Sequence, residues 1–261
     1  MEQLILKPVC GMCNRLRAIA SGRRLCSRSG AKCSVIWDWA DFKQFFVLSP
    51  DIEIMDATAF IRNDSVKILQ YNGNHVLDAK KPVVHLISSQ LFWGPHDSPI
   101  TTRDIAPFLP ALQPRLESLV SGFKEKHLNN AVGFHIRRTD NVTAIKRSPD
   151  HLFIEYAKQV IGSGKKIFLA TDNNESEKRM KELFGEAIVI YPKRGCHARR
   201  WPRAFDVTMM EDDLIDLFLL ARTDFVVGCA GSSFSNIAIA LNGSENCKIL
   251  KGHNTNCLSS T

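Results

Sequence analysis

The sequence predicts an α/β fold made of two Rossmann-like domains that face a cleft, and three observations lead to this prediction. The chain has 261 residues of which 44% are hydrophobic, enough for one large or two small cores. Short apolar segments alternate with helical patterns, as in parallel sheets covered on both faces. A proline-rich stretch, 99–114, separates the two sets of elements. We therefore place an N-terminal domain at 1–110 and a C-terminal domain at 111–261.

The first half begins with an apolar segment, Leu4–Val9, which we predict to be a strand. A turn then leads into a helix over Arg15–Ser29, which ends before Gly30, a residue favoured just beyond helix ends. The next predicted strand is Lys32–Trp37. Apolar composition predicts further strands at Ile52–Met55, Val66–Gln70 and Val83–Ser88, and helical spacing predicts a helix through Leu116, Leu119, Val120 and Phe123.

The second half alternates more regularly. It opens with a buried strand, Ala131–Ile136, and Ser148–Asp150 then starts a helix with Pro149 at its first position. The remaining predicted elements are the strands Lys166–Ala170, Ala187–Tyr191, Phe225–Val227 and Lys248–Leu250, and the helices Glu175–Phe184, Asp212–Ala221 and Ser233–Leu241.

Composition and charge exclude several classes of protein. No run of about 18 apolar residues is present to span a membrane, and no secretion signal opens the chain. The net charge of +7 suits an anionic ligand such as a nucleotide. A polynucleotide is disfavoured because no long basic run is interleaved with aromatic residues. We expect a cytoplasmic protein whose eight cysteines are reduced.

Two strand ends carry candidate anion-binding groups. His135, Arg137, Arg138 and Asp140 follow the buried strand, and arginine forks onto phosphate oxygens. The alternatives are that Arg138 and Asp140 pair within the loop and that His135 is structural. A second strand is followed by small and hydroxylated residues at a helix start, which also suits an anion. These residues are Gly228–Gly231 and then Ser232, Ser233, Phe234 and Ser235, with a simple serine cap as the alternative.

Two carboxylates and one loop have less certain roles. Asp216 lies in an apolar helix and, if it is buried, needs a partner such as the adjacent N–H donors of guanine. The alternatives are a salt bridge to Arg222 or Lys193 and a position on the solvated face of an amphipathic helix. Asp172 ends another strand, where it contacts a ligand or caps a helix. The turn after the first strand presents Cys13, Asn14 and Arg15 at the edge of the cleft, unless Asn14 caps the helix and the arginines are solvated. The basic segment 193–203 is either a lid or a solvated run.

In order and spacing, the segments His135–Asp140, Ala170–Asn173 and Asp216–Ser235 resemble three motifs of the α1,6-fucosyltransferase and protein O-fucosyltransferase superfamily. The segment Cys10–Leu16 resembles its N-terminal loop, with Cys13 in place of the second glycine. The resemblance implies a GT-B glycosyltransferase that inverts the sugar centre, uses GDP-fucose and needs no metal or other cofactor. Its partners would be a nucleotide sugar and a glycan acceptor.

Residue by residue, the resemblance implies that Arg137 holds the donor diphosphate and neutralises the leaving group. It further implies phosphate or nucleotide contacts for Ser232 and Ser233 and nucleoside contacts for His135 and Asp216. Asp140 and Asp172 would order the site. Where α1,6-fucosyltransferases have a lysine and a glutamate, this chain has Asn141 and Ile145, and neither of these can act as a base.

The sequence thus predicts transfer of a sugar, L-fucose first among the candidates, from a GDP donor to a glycan hydroxyl. Asp38, between Trp37 and Trp39, is the candidate base, unless it caps a buried aromatic pair. Two rivals are a transferase of another sugar, such as xylose or rhamnose from UDP or GDP, and a catalytically decayed sugar-nucleotide-binding module. A third, a thiol oxidoreductase, would use Cys10 and Cys13.

Overall fold

In the computed structural model the chain forms two compact units, each built on its own parallel sheet. The structure describes residues 1–38, 41–56, 67–70, 75–77, 82–194, 207–243, 245 and 247–252. Of the described residues, the first unit contains 1–119 and also 207–211, and the second contains 120–194 and those from 212 onward. The predicted boundary at 110/111 stays a prediction.

The first unit is a five-stranded sheet of order β3-β2-β1-β6-β4, with every pairing parallel. Helix α1 connects β1 to β2, packs on both, and ends at Gly30, which adopts a left-handed conformation with φ of 71°. The elements of this unit are β1 (Gln3–Pro8), α1 (Met12–Ser29), β2 (Lys32–Ile36), β3 (Ile52–Met55), β4 (Lys67–Gln70), β5 (His75–Val76), β6 (Val83–Ser88) and β7 (Phe92–Trp93).

The second unit repeats this arrangement with the strand order β10-β9-β8-β11-β12, again parallel throughout. Its central strand β8 is buried along its whole length, as a sheet covered by helices requires. The remaining elements of the chain are α2 (Pro114–His127), β8 (Ala131–Ile136), α3 (Val142–Arg147), α4 (Asp150–Gly162), β9 (Lys166–Thr171), α5 (Asn174–Phe184), β10 (Ile188–Val189), α6 (Val207–Ala221), β11 (Phe225–Cys229), α7 (Ser233–Asn242) and β12 (Cys247–Leu250).

Most of the predicted elements are present, but several details differ. Helices α1 and α6 begin at Met12 and Val207, earlier than predicted, and the short strands β5 and β7 were not predicted. The strand predicted at Ala187–Tyr191 is reduced to β10, because the chain before it is still in a 3₁₀ turn and two residues pair with β9. Helix α3 was not predicted. Pro149 precedes the first residue of α4 in an extended conformation rather than occupying the first helical position. Predictions for Trp39, Val66, Cys196, Cys257 and the end of the basic segment, 195–203, lie outside the described residues.

Candidate functional site

The candidate site lies in the second unit, at the carboxyl ends of β8, β9 and β11. Strand β8 is followed along the chain by β9 on one side of the sheet, whereas β11 lies on its other side. The strand order therefore reverses between β8 and β11, and open α/β sheets bind ligands at such switch points. The β8–α3 loop and the β11–α7 loop both begin there. They touch, because the Asn141 amide donates to the Gly231 carbonyl at 3.0 Å.

Arg137 is the partly exposed cation of this edge. Its Nε lies 2.9 Å from Asp172 Oδ2, and a terminal nitrogen pairs with Asp140. Burial alone would lower the pKa of Arg137, but the charges of Asp172 and Asp140 outweigh it and raise that pKa. Asp172 is almost enclosed, whereas the Asp140 side chain is 53% exposed. The Nε side of the guanidinium is thus fixed by a buried carboxylate, and a terminal nitrogen is held by a carboxylate in contact with solvent.

Asp172 organises the loop that carries Arg137. Besides the guanidinium, it accepts the Arg138 backbone N–H at 2.8 Å and the Thr139 hydroxyl at 2.5 Å. Burial would raise the pKa of Asp172, but Arg137 and these hydrogen bonds lower it, so the carboxylate is ionised in the folded protein. The cap of α5 is supplied by Asn173, which accepts the Ser176 N–H. Asp172 therefore orders the site loop instead of capping the helix.

Arg138 is held by the start of the helix α4 and by the turn before it. It binds Asp150 at 2.6 Å and the Ser148 carbonyl at 2.7 Å, and it lies over the Phe153 ring. These contacts join the end of β8 to the start of α4. The side chain of Arg138 is 10% exposed, against 21% for Arg137. Of the two neighbouring arginines Arg137 is the more exposed, and direct contact of either with a donor substrate stays a prediction.

His135 is enclosed by the second loop. Its ring stacks on Phe234 with a centroid distance of 4.5 Å, and its Nδ1 lies 2.7 Å from the Ser235 hydroxyl. The Cys229 thiol accepts the Arg137 backbone N–H and donates to the His135 carbonyl, both at 3.3 Å, and so extends the β8–β11 pairing. Burial lowers the pKa of His135 to about 3, which keeps the imidazole neutral.

The serine-rich loop leaves the start of α7 without a side-chain cap. Gly231 turns the chain in a left-handed conformation with φ of 78°, and Ser232 precedes the helix without a capping hydrogen bond. The cap that the sequence offered as the ordinary explanation of these serines is therefore not made. Ser233, the first residue of α7, is partly exposed. Uncapped N–H groups with the positive helix end behind them form a favourable position for an anion.

Asp216 is buried on α6 and pairs with Lys193, whose Nζ lies 2.7 Å from Oδ2 and also donates to the Thr171 carbonyl. This is one of the salt bridges that the sequence allowed. Within the described residues Oδ1 has no hydrogen-bond partner. Burial raises the pKa of Asp216 to about 6 even though Lys193 lowers it, and Asp216 in turn raises the pKa of Lys193 against the effect of burial. Among the described residues, only one of the two carboxylate oxygens of Asp216 therefore has a hydrogen-bond donor.

The N-terminal candidates lie together in the first unit, after β1. Arg15 is buried and binds Asp38 at 2.6 Å and the Cys10 carbonyl at 2.9 Å, and its guanidinium lies over the Trp37 ring. Asp38 is also 3.5 Å from Lys7. Asn14 accepts a hydrogen bond from Arg17, which also binds the Ser89 carbonyl beyond β6. This loop occupies the switch point of the first sheet, between β1 and β6.

The cysteines with redox spacing differ in environment. Cys10 is exposed and Cys13 is buried, and both are free thiols, as are the other described cysteines. Cys10 has a positive φ of 69°, a strained conformation for a residue with a side chain. Across the described ranges, no group of three or more His, Cys, Asp or Glu side chains is placed to hold a metal ion. No helix in that part of the chain is both long and apolar enough for a membrane span.

The roles of three side chains that hold the site together could not be predicted from the sequence. Thr139 and the Cys229 thiol hold the ends of the β8 loop, and Ser148 accepts the Ala230 N–H at 2.8 Å while donating to the Leu250 carbonyl. Cys229 and Ser148 join residues at least 82 positions apart in sequence, and no local pattern signals such a contact. Thr139 had a signal, since it lies inside the Arg137–Asp140 segment.

Comparison with solved structures identifies the fold. The chain matches the fucosyltransferase NodZ from Bradyrhizobium with a TM-score of 0.60 at 15% identity, over 91% of this chain and 92% of that one. It matches a variant of Arabidopsis thaliana FUT1 in complex with GDP with a TM-score of 0.61 at 12% identity, over 92% and 68% of the two chains. POFUT1 in complex with GDP-fucose matches with a TM-score of 0.57 at 12% identity, over 96% and 98%.

The chain therefore has the fold of these fucosyltransferases, and the predicted α/β, GT-B fold class is confirmed. The resemblance seen in the motifs extends to the three-dimensional structure. No protein-family model matches the sequence. No curated protein matches it either.

Proposed function

We propose that the protein is an inverting, metal-independent glycosyltransferase that transfers L-fucose from GDP-fucose to a hydroxyl of a glycan. One observation carries the proposal: Arg137 and the uncapped start of α7 lie on two touching loops at the switch point of one sheet. A guanidinium and a helix N-terminus are both groups that bind phosphate. Structures of the same fold that contain GDP or GDP-fucose support this assignment.

The reaction needs stabilisation of the leaving group. The acceptor oxygen forms a bond to the sugar C1 as the bond from C1 to the phosphate oxygen breaks, and the hydroxyl proton leaves to a base. Negative charge then collects on the departing diphosphate, where Arg137 and the α7 N–H groups stabilise it. Asp172 keeps the guanidinium in position, while the exposed Asp140 carboxylate exchanges places with phosphate.

The nucleoside is assigned to His135 and Asp216. Guanine carries N1–H and N2–H donors side by side, and the Asp216 oxygen without a partner accepts from such donors. His135 offers a flat neutral ring that Phe234 holds in place. Uracil has only one N–H group where guanine has two adjacent ones. These side chains therefore suit a GDP-sugar better than a UDP-sugar.

The base for the acceptor hydroxyl is assigned to Asp38. Its carboxylate is 27% exposed and is oriented by Arg15. Asn141 and Ile145 occupy the positions where α1,6-fucosyltransferases carry a lysine and a glutamate. Asn141 caps α3 through its side-chain oxygen. Because neither side chain takes up a proton at neutral pH, a sugar-nucleotide-binding protein without turnover is the second candidate function.

The test measures GDP binding by titration calorimetry and sugar transfer from GDP-fucose, both in buffer containing EDTA. Arg137→Lys should lower transfer by about 100-fold or more, because lysine keeps the charge and loses the two-pronged contact. The control is Arg179→Lys, which alters an arginine that is 58% exposed on α5 and should leave both measurements unchanged.

Each outcome separates the candidates. Tighter binding of UDP than of GDP would indicate a transferase that uses a UDP-sugar instead of GDP-fucose. GDP binding with neither transfer nor slow hydrolysis of GDP-fucose would favour the binding protein. Normal transfer by Arg137→Lys would reject the leaving-group role, and activity that returns only with Mn²⁺ would reject metal independence.

A further inference from the structure

Ser235 lies beneath the proposed nucleotide site and is completely buried. Its hydroxyl oxygen accepts the Cys229 backbone N–H at 2.9 Å and lies 2.7 Å from His135 Nδ1. The sequence placed Ser235 among the residues that contact the donor. In the structure its polar atom faces His135 and the end of β11, so its role depends on these two partners.

The partners of the Ser235 hydroxyl determine which way its proton points. The Cys229 N–H can only donate, so the Ser235 O–H needs an acceptor. Across the described residues, His135 Nδ1 is the one acceptor within hydrogen-bond distance of this hydroxyl. If Nδ1 carried the imidazole proton, both partners would donate to Ser235 and its O–H would remain buried and unsatisfied, which is unfavourable. Nδ1 therefore accepts, and the ring proton is on Nε2.

The rest of the pocket keeps His135 in this state. Burial lowers its pKa to about 3, so the ring carries one proton at neutral pH. Stacking on Phe234, with the ring planes 21° apart, fixes the plane of the imidazole. Nε2 makes no hydrogen bond to a described residue, and its N–H is left for a ligand.

We propose that Ser235 is a positioning residue that holds His135 as the Nε2–H tautomer, so that the ring presents a hydrogen-bond donor to the guanosine part of the substrate. This role rests on the proposed function. A donor at His135 and an acceptor at Asp216 together suit a 6-oxopurine, which carries an acceptor and donors on one edge. Adenine carries the opposite pattern at its 6-position and 1-position, so Ser235 also contributes to the choice of GDP over ADP.

The experiment compares the wild type with two variants. Ser235→Ala lacks the hydroxyl, and Ser235→Thr keeps it. Long-range ¹H–¹⁵N spectra of histidine-labelled protein report the tautomer, and His135→Gln identifies the His135 signal. Calorimetry gives the affinities for GDP and ADP. Ser163→Ala is the matched control, because Ser163 is exposed at the end of α4 and its hydroxyl binds only the local Val160 carbonyl.

We expect the wild type and Ser235→Thr to show the Nε2–H form and Ser235→Ala to show a mixture of tautomers. In Ser235→Ala the affinity for GDP should fall about 10-fold, the size expected for one hydrogen bond, and the GDP-to-ADP ratio should fall with it. A wild-type Nδ1–H tautomer would overturn the role, as would an unchanged tautomer and ratio in Ser235→Ala. A wild type that shows the Nε2–H form but binds no GDP would instead overturn the proposed function and the ligand assigned to His135.

Discussion

Arg137 and Arg138 are adjacent in the sequence, but their side chains have different surroundings and therefore different contacts. The Arg138 guanidinium donates hydrogen bonds to the Asp150 carboxylate and to the carbonyl groups of Ser148 and Arg137. These contacts within the protein hold the side chain in place. Arg137 has two carboxylates, one of them exposed, and this leaves a replaceable partner on the solvent side. Their order in the sequence gives no hint of this difference, since both follow β8 directly.

At the same scale, His135 should make the protein sensitive to acid. Its pKa is about 3 in the folded state, because burial and the charges of Arg137, Lys193 and Arg138 outweigh Asp172, and about 6.5 when unfolded. Between these values the unfolded chain binds a proton that the folded chain excludes, so the free energy of unfolding falls as pH falls from 6.5 toward 3. Each pKa unit corresponds to about 1.4 kcal/mol. His135→Gln should flatten this decline by several kcal/mol, measured by urea unfolding across the pH range.

Asp216 changes the free energy of unfolding with pH in the opposite direction to His135. The pH dependence of the wild type alone therefore does not isolate the contribution of His135, and the variant is needed. Its raised pKa of about 6 gives stability that is present below the unfolded value of 3.8 and lost as pH rises through 6. The difference between wild type and His135→Gln removes this shared contribution. His151→Gln, an exposed histidine on α4, is the control and should keep the wild-type slope. An acid slope that is the same in His135→Gln as in the wild type would contradict the burial argument.

At the scale of elements, two glycines let helices lie close against the second sheet. A Cβ on Gly228 of β11 would stand 2.6 Å from Ser235 Cβ and 2.9 Å from a methyl group of Ile249. A Cβ on Gly133 of β8 would meet Leu220 and the Thr223 hydroxyl, each at 2.6 Å. Such contacts are shorter than packing allows, so both strands need glycine where α6 and α7 approach.

Gly228→Ala should therefore destabilise the protein by about 1–3 kcal/mol, the usual cost of overpacking a filled core. Because the new methyl group pushes on Ser235, GDP binding should weaken as well. Gly122→Ala is the matched control, since Gly122 lies on α2 with no atom near the added methyl group. It should stabilise by up to about 1 kcal/mol, because alanine favours helix. Equal unfolding midpoints for the two variants in urea would refute the close approach.

The elements themselves could be predicted as far as their patterns are local. Apolar runs and helical spacing predicted β8, β9 and α5 to within one or two residues at each end, and they also predicted the start of α4. Helix α3 was missed because it has six residues and is stabilised by the Asn141 cap and the contact with Gly231, not by an apolar face. The extent of β10 depends on its pairing with β9, which its own composition does not reveal.

At the scale of the whole molecule, the sequence could indicate which strand ends carry chemistry but not how the strands are ordered. The order of the second sheet places β8 beside β11, and this brings Arg137 and the start of α7 to one switch point. Strand order depends on long-range packing, so the sequence could suggest that Arg137 and the serine-rich loop share one edge of the sheet but could not show that their strands are neighbours. The partner of Asp216 was open for the same reason, with Lys193 and Arg222 both allowed by the sequence.

The position of the switch point predicts where GDP should protect the backbone from hydrogen exchange. Binding at the carboxyl edge of the second sheet should slow exchange in 137–148, 172–174 and 229–236, the segments that follow β8, β9 and β11. The segments at the opposite edge, 128–130, 163–165 and 222–224, connect to the same strands and should not change. They serve as an internal control, because general stabilisation by a ligand would slow both edges alike. Protection confined to the amino edge would place the nucleotide elsewhere and remove the basis for assigning Arg137 to phosphate.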